Sequence, residues 1–226
     1  MDLLIKLDIE LHEEISIPSL IDIFSHMILT CESITNEKED SWYLTGDTLE
    51  EALQKKAFNQ CTPTDLLKAI PYFDCMETIW ANENKSLSII KYTGSGLIYS
   101  LDFTIRDISL PNKIAIIEAL NYYIGNYRIV CVQIDINGYW YNDKNVFPDR
   151  LPVGWMLYLN KKITQQQVPM AAELIDIENK KNSGTLIIST DHVFDGSDKD
   201  DIKKANEIEI QLTALGLLPL IREIYS

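Results

Sequence analysis

The stretch Arg128-Ile-Val-Cys-Val-Gln-Ile-Asp135 decides the fold, because β-branched residues dominate it and only Gln133 interrupts its apolar interior. A second apolar run, Val153-Gly-Trp-Met-Leu-Tyr-Leu159, follows a connection rich in Asn, Asp and Pro. Runs of this length, bounded by turn-forming residues, are typical of strands that are buried on both faces. The pattern therefore predicts two strands at the centre of a sheet.

Other strands are expected on both sides of this centre. Residues 3–12 alternate between an apolar and a mostly polar set of side chains, which predicts a strand with one buried face. Further strands are expected at 41–44, 76–81, 87–92, 97–104 and 185–190. Turn formers at 82–84 and 93–96 join three of them, so these three should form an antiparallel meander.

Apolar spacing of three and four residues predicts the helices. They are expected at 18–31, 47–58, 66–70, 111–124, 164–172 and 198–215. The helix at 47–58 is expected because Asp47 and Glu50 resemble a capping box. Because the chain shows no repeat and no linker, we expect one domain over residues 1–226. Its fold class should be α+β, with a central, largely antiparallel (mixed) sheet flanked by helices.

The charge balance restricts the partners. The chain has 34 acidic and 20 basic side chains, a net charge of −14, and 13 of the acidic residues lie in the first 60 positions. Nucleic acid and anionic membrane surfaces both require clustered Lys and Arg, so neither is expected as a direct ligand. A local negative field in the first quarter of the chain would instead attract a basic protein.

The termini and cysteines bear on localisation. Residues 1–10 lack the basic and apolar regions of a signal peptide, and no uncharged apolar run is long enough for a membrane span. Four widely spaced cysteines with no histidine partner motif favour reduced thiols. These features predict a cytoplasmic protein.

Few residue patterns suggest chemistry. Asp191-His192 could orient Ser189 as a nucleophile, but no nucleophile elbow surrounds the pair, and we interpret it as a turn at the end of a strand. The acidic group near residues 191–201 lacks the spacing of a calcium loop, and carboxylates in a first helical turn favour the helix dipole without a metal. We therefore predict no catalytic, cofactor-binding or metal-binding residues. Tyr139-Trp140-Tyr141, in polar surroundings, is the candidate contact surface.

Four blocks in order resemble the immunity protein 52 family of bacterial polymorphic toxin systems. They are Asp40-Ser-Trp-Tyr-Leu-Thr-Gly-Asp-Thr-Leu-Glu-Glu-Ala-Leu53, Val153-Gly-Trp-Met-Leu-Tyr-Leu159, Gly184-Thr-Leu-Ile-Ile-Ser-Thr-Asp-His-Val-Phe-Asp195 and Ala205-Asn-Glu-Ile-Glu-Ile-Gln-Leu212. The first 35 residues carry no part of the resemblance.

The resemblance implies an antidote that binds and silences a cognate toxin, expected to be a nuclease of restriction-endonuclease fold delivered by contact-dependent or type VI secretion. Blocking would be steric and electrostatic, with no catalysis by the antidote. The expected toxin contacts are Glu13, Glu14, Glu37, Glu39, Asp40, Tyr139, Trp140, Tyr141, Asp195, Asp198, Asp200 and Asp201. Two alternatives stay open, a regulatory adaptor or chaperone and a hydrolase that uses Asp191 and His192.

Overall fold

The computed structural model describes residues 1–93 and 96–225. Over that part of the chain, eleven strands form one sheet in the order β10-β11-β9-β8-β1-β7-β6-β5-β2-β3-β4, and every pairing is antiparallel. The strands are β1 Leu3–Leu11, β2 Trp42–Leu44, β3 Lys56–Asn59, β4 Thr62–Pro63, β5 Met76–Asn82, β6 Lys85–Thr93, β7 Leu97–Ile105, β8 Arg128–Ile136, β9 Met156–Leu159, β10 Glu173–Glu178 and β11 Ser183–Ile188. The helices are α1 Ile17–Thr35, α2 Leu49–Ala52, α3 Asp65–Lys68, α4 Lys113–Asn126, α5 Lys199–Ala214 and α6 Ile221–Tyr225. This arrangement confirms the α+β class with an antiparallel sheet flanked by helices.

Both apolar runs form interior strands of the sheet, β9 in third and β8 in fourth place of eleven, whereas the central position belongs to β7. Strand β8 pairs with β1 on one side and with β9 on the other, and all four residues of β9 are buried. The β9 strand is shorter than the predicted 153–159, because Gly154 turns the chain with φ +53°. Its ideal Cβ would lie 2.9 Å from the Ile134 carbonyl oxygen, so glycine is required at this close approach.

One face of the β1–β7–β6–β5 region is packed against helices. Its side chains include Leu7, Leu101 and Leu87, which are all fully buried. Helix α4 contacts this face through Tyr123, whose ring meets the edge of Phe103 at 6.3 Å. The amphipathic stripe of α1 lies on the same side, since α1 contacts α4, β6 and β7.

Helix α1 has the character of a core helix. Ser16 caps it by accepting the amide of Ser19 at 3.3 Å, and Asn36 ends it in the left-handed conformation. By length and composition alone α1 is apolar enough to cross a membrane, a test that core helices of globular proteins also pass. Its buried residues form one stripe from Leu20 to Ile34.

The other face of the same strands is partly exposed along its length. We call it the open face, and define it by the outward side chains of β5, β6 and β7 with their neighbours on β1 and β2. The half-buried members are Leu4, Tyr43, Thr78, Trp80, Ser86, Ser88, Ile90, Tyr92, Ile98, Asp102 and Thr104. Because direct partners in an antiparallel ladder share a face, the register places these side chains together.

Several sequence predictions are wrong. The helix expected at 47–58 ends at Ala52, and Lys56–Asn59 is a strand, because Thr48 rather than Asp47 caps the helix and Phe58 pairs with β2. Residues 164–172 form turns rather than a helix, and β10 and α6 were not predicted. The helix expected at 111–124 runs from Lys113 to Asn126. The turn expected at 93–96 falls partly on Gly94 and Ser95, which lie outside the described residues.

Candidate functional site

A compact set of polar side chains from β1, β7 and β8 lies at the border of the open face. Lys6 is opposite Asp102 on one neighbour strand and Gln133 on the other, and Asp8 is opposite Ser100 and Cys131 in the next row. Lys6, Asp8, Ser100, Cys131 and Gln133 are buried, and Asp102 is half-buried. The prediction that this face of β1 is solvated is therefore wrong, and we call these six residues the polar cluster.

Three aromatic rings close over the polar cluster. The Lys6 Nζ lies 5.1, 5.6 and 4.9 Å from the ring centroids of Tyr92, Trp140 and Tyr225, and it donates to the Tyr92 hydroxyl at 2.9 Å. The rings of Tyr92 and Tyr225 stack at 4.2 Å. Tyr225 belongs to α6, so the C-terminal helix forms part of the cover. An ammonium among aromatic faces is stabilised by cation–π attraction.

The cluster holds its groups in protonation states that suit a structural anchor. Burial alone would lower the pKa of Lys6, but Asp8, the Tyr92 hydroxyl and Asp102 together raise it, so Lys6 stays an ammonium. Burial and the carboxylate of Asp8 raise the pKa of Cys131, whose thiol donates to Asp8 Oδ2 at 3.0 Å. A thiol held in that form is a poor nucleophile.

Two atoms of the cluster have no hydrogen-bond partner among the described residues. They are Asp8 Oδ1 and Gln133 Nε2, and both side chains are buried. The other oxygen of Asp8 accepts from Cys131 and, at 2.6 Å, from the Tyr225 hydroxyl. An acceptor and a donor on adjacent strands are the type of pair that a buried water bridges.

The aromatic connection after β8 is only partly exposed. Asp135 accepts the amides of Tyr139 at 2.9 Å and Trp140 at 3.0 Å, which folds the chain back over β8. Tyr139 is fully buried, with its hydroxyl 2.6 Å from Asn206 Oδ1 and 2.8 Å from Glu209 Oε1. The expectation that Tyr139 is a contact residue is therefore wrong. Trp140 is half-buried beside Lys6, whereas Tyr141 is 82% exposed.

Tyr141 stands beside a cleft of about 610 Å³ at the edge of the open face. Leu4, Thr104, Arg106 and Asn142 are among the residues that line it. Leu3 pairs with Ile105 and with Ile136, so this cleft lies at the end of the sheet where β1 begins.

The predicted acidic contacts divide between two ends of the sheet. Glu14 forms an ion pair with Lys91, at the end where β1 finishes, and Glu13 precedes it in the chain. Glu37 and Glu39 both contact Lys85 at 2.6 Å, at the end where β1 begins. Nine residues of extended strand separate these ends by about 30 Å, so the N-terminal carboxylates do not form one patch.

The aspartates at the start of α5 belong to the second of these groups, because Gly196 donates to the Ile136 carbonyl at the end of β8. Asp198 caps α5 and Asp195 accepts from Asn137 at 2.9 Å, so both carboxylates already have partners. Asp201 is buried and accepts the Asp195 amide at 2.8 Å, so the expectation that it contacts a partner is wrong. Asp40 and Asp200 are exposed.

The Asp191–His192 pair does not activate Ser189. The Ser189 hydroxyl is buried and donates to the carbonyls of Gly154 at 2.8 Å and Trp155 at 3.1 Å. His192 lies between Asp191, 3.0 Å from its Nδ1, and Asp201, 2.8 Å from its Nε2. In the described part of the chain, no group of three or more His, Cys, Asp or Glu side chains is placed to hold a metal ion.

The position of His192 predicts a pH dependence of stability. Hydrogen bonds to Asp191 and Asp201 raise the pKa of His192 above its usual 6.5. A group whose pKa is higher in the folded state stabilises the fold at pH values below its unfolded-state pKa. This contribution is lost as the pH rises through the folded-state pKa. We therefore expect His192→Ala to lower the free energy of unfolding more at about pH 6 than at about pH 9. Urea denaturation of both proteins at the two pH values measures this, and equal losses would contradict it.

Sequence reasoning missed the surface that the fold exposes most clearly. Trp80 lies within the strand predicted at 76–81, and the structure places it half-buried on the open face, where its ring lies 5.2 Å from that of Tyr43. Its indole Nε1 donates to the Leu44 carbonyl at 3.2 Å, which fixes the orientation of the ring. The alternation of Thr78, Trp80, Ser86 and Ser88 with buried neighbours is the signal that identifies a half-exposed face.

Comparison with known protein families and with curated proteins gives no match to this chain.

Proposed function

We propose that the protein is a binding protein that neutralises a basic protein toxin by covering its functional surface. The proposed partner is a nuclease toxin, and the proposed place of action is the cytoplasm, where nucleic acid is the target of such an enzyme. The observation that carries the proposal is the open face, a half-exposed sheet surface with tyrosine and tryptophan side chains in a chain of net charge −14. Membership of the immunity protein 52 family is part of this proposal and rests on the sequence blocks.

The side chains of the open face suit protein recognition. Aromatic residues supply much of the binding energy at protein interfaces, and small hydroxyl side chains allow close approach around them. Here Trp80, Tyr43 and Tyr92 are the aromatics. Ser86 and Ser88 lie on the same strand as Tyr92, and Ser86 is opposite Trp80 on β5. Strands β5 to β7 hold these groups in a fixed register, so binding would require little reordering of the antidote.

Charge at one end of the sheet supports a basic partner. The end where β1 begins gathers the carboxylates of Glu37, Glu39, Glu83 and Asp107 around Lys85 and Arg106. A nuclease must present positive charge to bind phosphates, so an acidic inhibitor approaches its cleft with electrostatic steering. The association rate should therefore fall as salt is added.

The direct test uses the protein encoded by the neighbouring gene. Its toxic domain should arrest growth when expressed alone, and co-expression with this chain should restore growth. Isothermal titration calorimetry of the two purified proteins should show a saturable complex. Failure of the chain to bind or protect against a proven neighbouring toxin would refute the proposal, whereas binding without protection would favour an adaptor or chaperone.

Tyr141 provides the mutational prediction for this function. Its side chain is 82% exposed at the border of the open face, so it can contact a partner without losing a role in the core. Tyr141→Ala should weaken toxin binding by about 2 kcal/mol, or about thirtyfold in Kd. Tyr72→Ala is the matched control, because Tyr72 is 67% exposed in the segment before β5. Equal Kd values for the two variants would remove Tyr141 from the interface.

A further inference from the structure

The geometry points to an anchor socket beside the open face that takes an apolar side chain from a basic segment of a protein partner. This inference rests on the proposed function and specifies where and how the partner is held. The socket is a shallow groove of about 710 Å³ between α2 and the end of β5. Its lining includes Asp47, Leu49, Leu53, Trp80 and Glu83.

The apolar part of the groove is exposed to an unusual degree for large aliphatic side chains. Leu49 is 67% and Leu53 47% exposed, and they lie four residues apart at the two ends of α2. The half-buried Trp80 also lines the groove, with its ring position fixed by the bond to Leu44. An apolar floor of this kind, rimmed by polar groups, is typical of a protein interaction site.

The rim of the groove selects the partner by charge. Asp47 and Glu83 line the groove and Glu50 is exposed on the adjoining turn of α2; among the described residues, these three carboxylates form no ion pair. Arg106 donates to the backbone carbonyl of Glu83 at 3.4 Å rather than to its carboxylate. Unpaired carboxylates around an apolar floor favour an aliphatic or aromatic side chain flanked by Lys or Arg.

The groove is also placed to act together with Tyr141. Asn82 pairs with Lys85, Lys85 with Ile105 and Ile105 with Leu3, so the groove lies at the same end of the sheet as the Tyr141 cleft. Strands β6, β7 and β1 separate β5 from β8, which gives a span of about 20 Å between the two features. A single protein partner of ordinary interface size can cover both.

The first test needs no toxin. A short amphipathic helical peptide made of Leu and Lys is titrated into the ¹⁵N-labelled full chain, and a second peptide has Glu in place of every Lys. The Leu/Lys peptide should shift the Trp80 indole N–H and the amides of Leu49 and Leu53, and the Leu/Glu peptide should not. Equal shifts with both peptides, or none at these positions, would overturn the socket.

Substitution then separates apolar contact from charge. Leu49→Asp should weaken binding of the Leu/Lys peptide by about tenfold or more. Ile114→Asp is the matched control, since Ile114 is 69% exposed and also lies in the first turn of a helix, α4. Glu83→Gln should weaken binding several-fold and reduce its salt dependence. Equal affinities for the Leu49 and Ile114 variants would overturn the socket.

The same pair of variants applied to the neighbouring toxin distinguishes the two proposals. Loss of toxin binding with Leu49→Asp but not with Ile114→Asp supports both the function and the socket. If the toxin binds both variants equally well, the proposed function stands and the proposed socket is refuted. If the wild-type chain binds no neighbouring toxin, the proposed function fails, and the peptide titration alone decides whether the socket exists.

Discussion

Replacement of Glu209 by alanine is expected to lower the free energy of unfolding by about 3–5 kcal/mol. Glu209 is fully buried on α5 and accepts the amides of Val146 at 2.8 Å and Val153 at 3.0 Å. The Tyr139 hydroxyl donates to Glu209 Oε1 at 2.8 Å, and this is the oxygen that also accepts the Val153 amide. One carboxyl group therefore ties α5 to both ends of the connection between β8 and β9, and its removal leaves buried donors without acceptors.

Urea denaturation measures the effect, and two variants serve as controls. The first is Glu207→Ala, because the Glu207 carboxylate lies on the same helix and contacts Lys203 at 3.8 Å in solvent. This substitution should lower the free energy of unfolding by well under about 1 kcal/mol. Glu209→Gln keeps one acceptor oxygen, so its loss of unfolding free energy should lie between those of Glu209→Ala and Glu207→Ala. Burial raises the pKa of Glu209, and the hydrogen bonds from the Val153 and Val146 amides oppose that shift. If Glu209→Ala unfolds at the same urea concentration as Glu207→Ala, the tie does not stabilise the fold.

The central strands could be predicted because their pattern depends on local composition. The run 128–135 and the meander from β5 to β7 are strands in the structure, since β-branched residues and turn formers specify them directly. The segment 47–58 could not be predicted, because Leu49 and Leu53 have a spacing that fits a helix, whereas the adjacent Ala57 and Phe58 are buried on β3, which pairs with β2. Tertiary pairing overrides local propensity at such positions.

The site was harder to predict than the fold. Alternation along β1 correctly separates Leu7 from Lys6 and Asp8, but it cannot show that a C-terminal helix and the Trp140 segment cover the polar side. Those contacts join residues more than a hundred positions apart. The sequence also does not show which tyrosine of the Tyr139-Trp140-Tyr141 group is exposed. The hydrogen bonds that the Tyr139 and Trp140 amides donate to Asp135 decide which ring turns inward.

Lys6→Ala is expected to cost about 3 kcal/mol of unfolding free energy. The substitution removes the ammonium that three rings surround and that lies opposite Asp102 in the register. Asp8, which is fully buried, would keep only the Cys131 thiol and the Tyr225 hydroxyl as partners. Because Tyr225 stacks on Tyr92 over the same ammonium, α6 should also loosen, and carboxypeptidase should remove the C-terminus faster than in the wild type.

A double-mutant cycle distinguishes electrostatic from packing effects at this site. Lys6→Met keeps most of the side-chain volume and removes the charge, and Asp8→Asn removes the charge of its neighbour. If the two charges support each other, the double variant should lose about 1–2 kcal/mol less than the sum of the single losses. Lys91→Met is the control, because Lys91 lies on β6, two strands away from β1, and pairs with the exposed Glu14. If the losses of unfolding free energy at Lys6 and Asp8 are additive, the three rings and not the Asp8 carboxylate stabilise the ammonium. In that case Lys6→Met should loosen α6 as much as Lys6→Ala does.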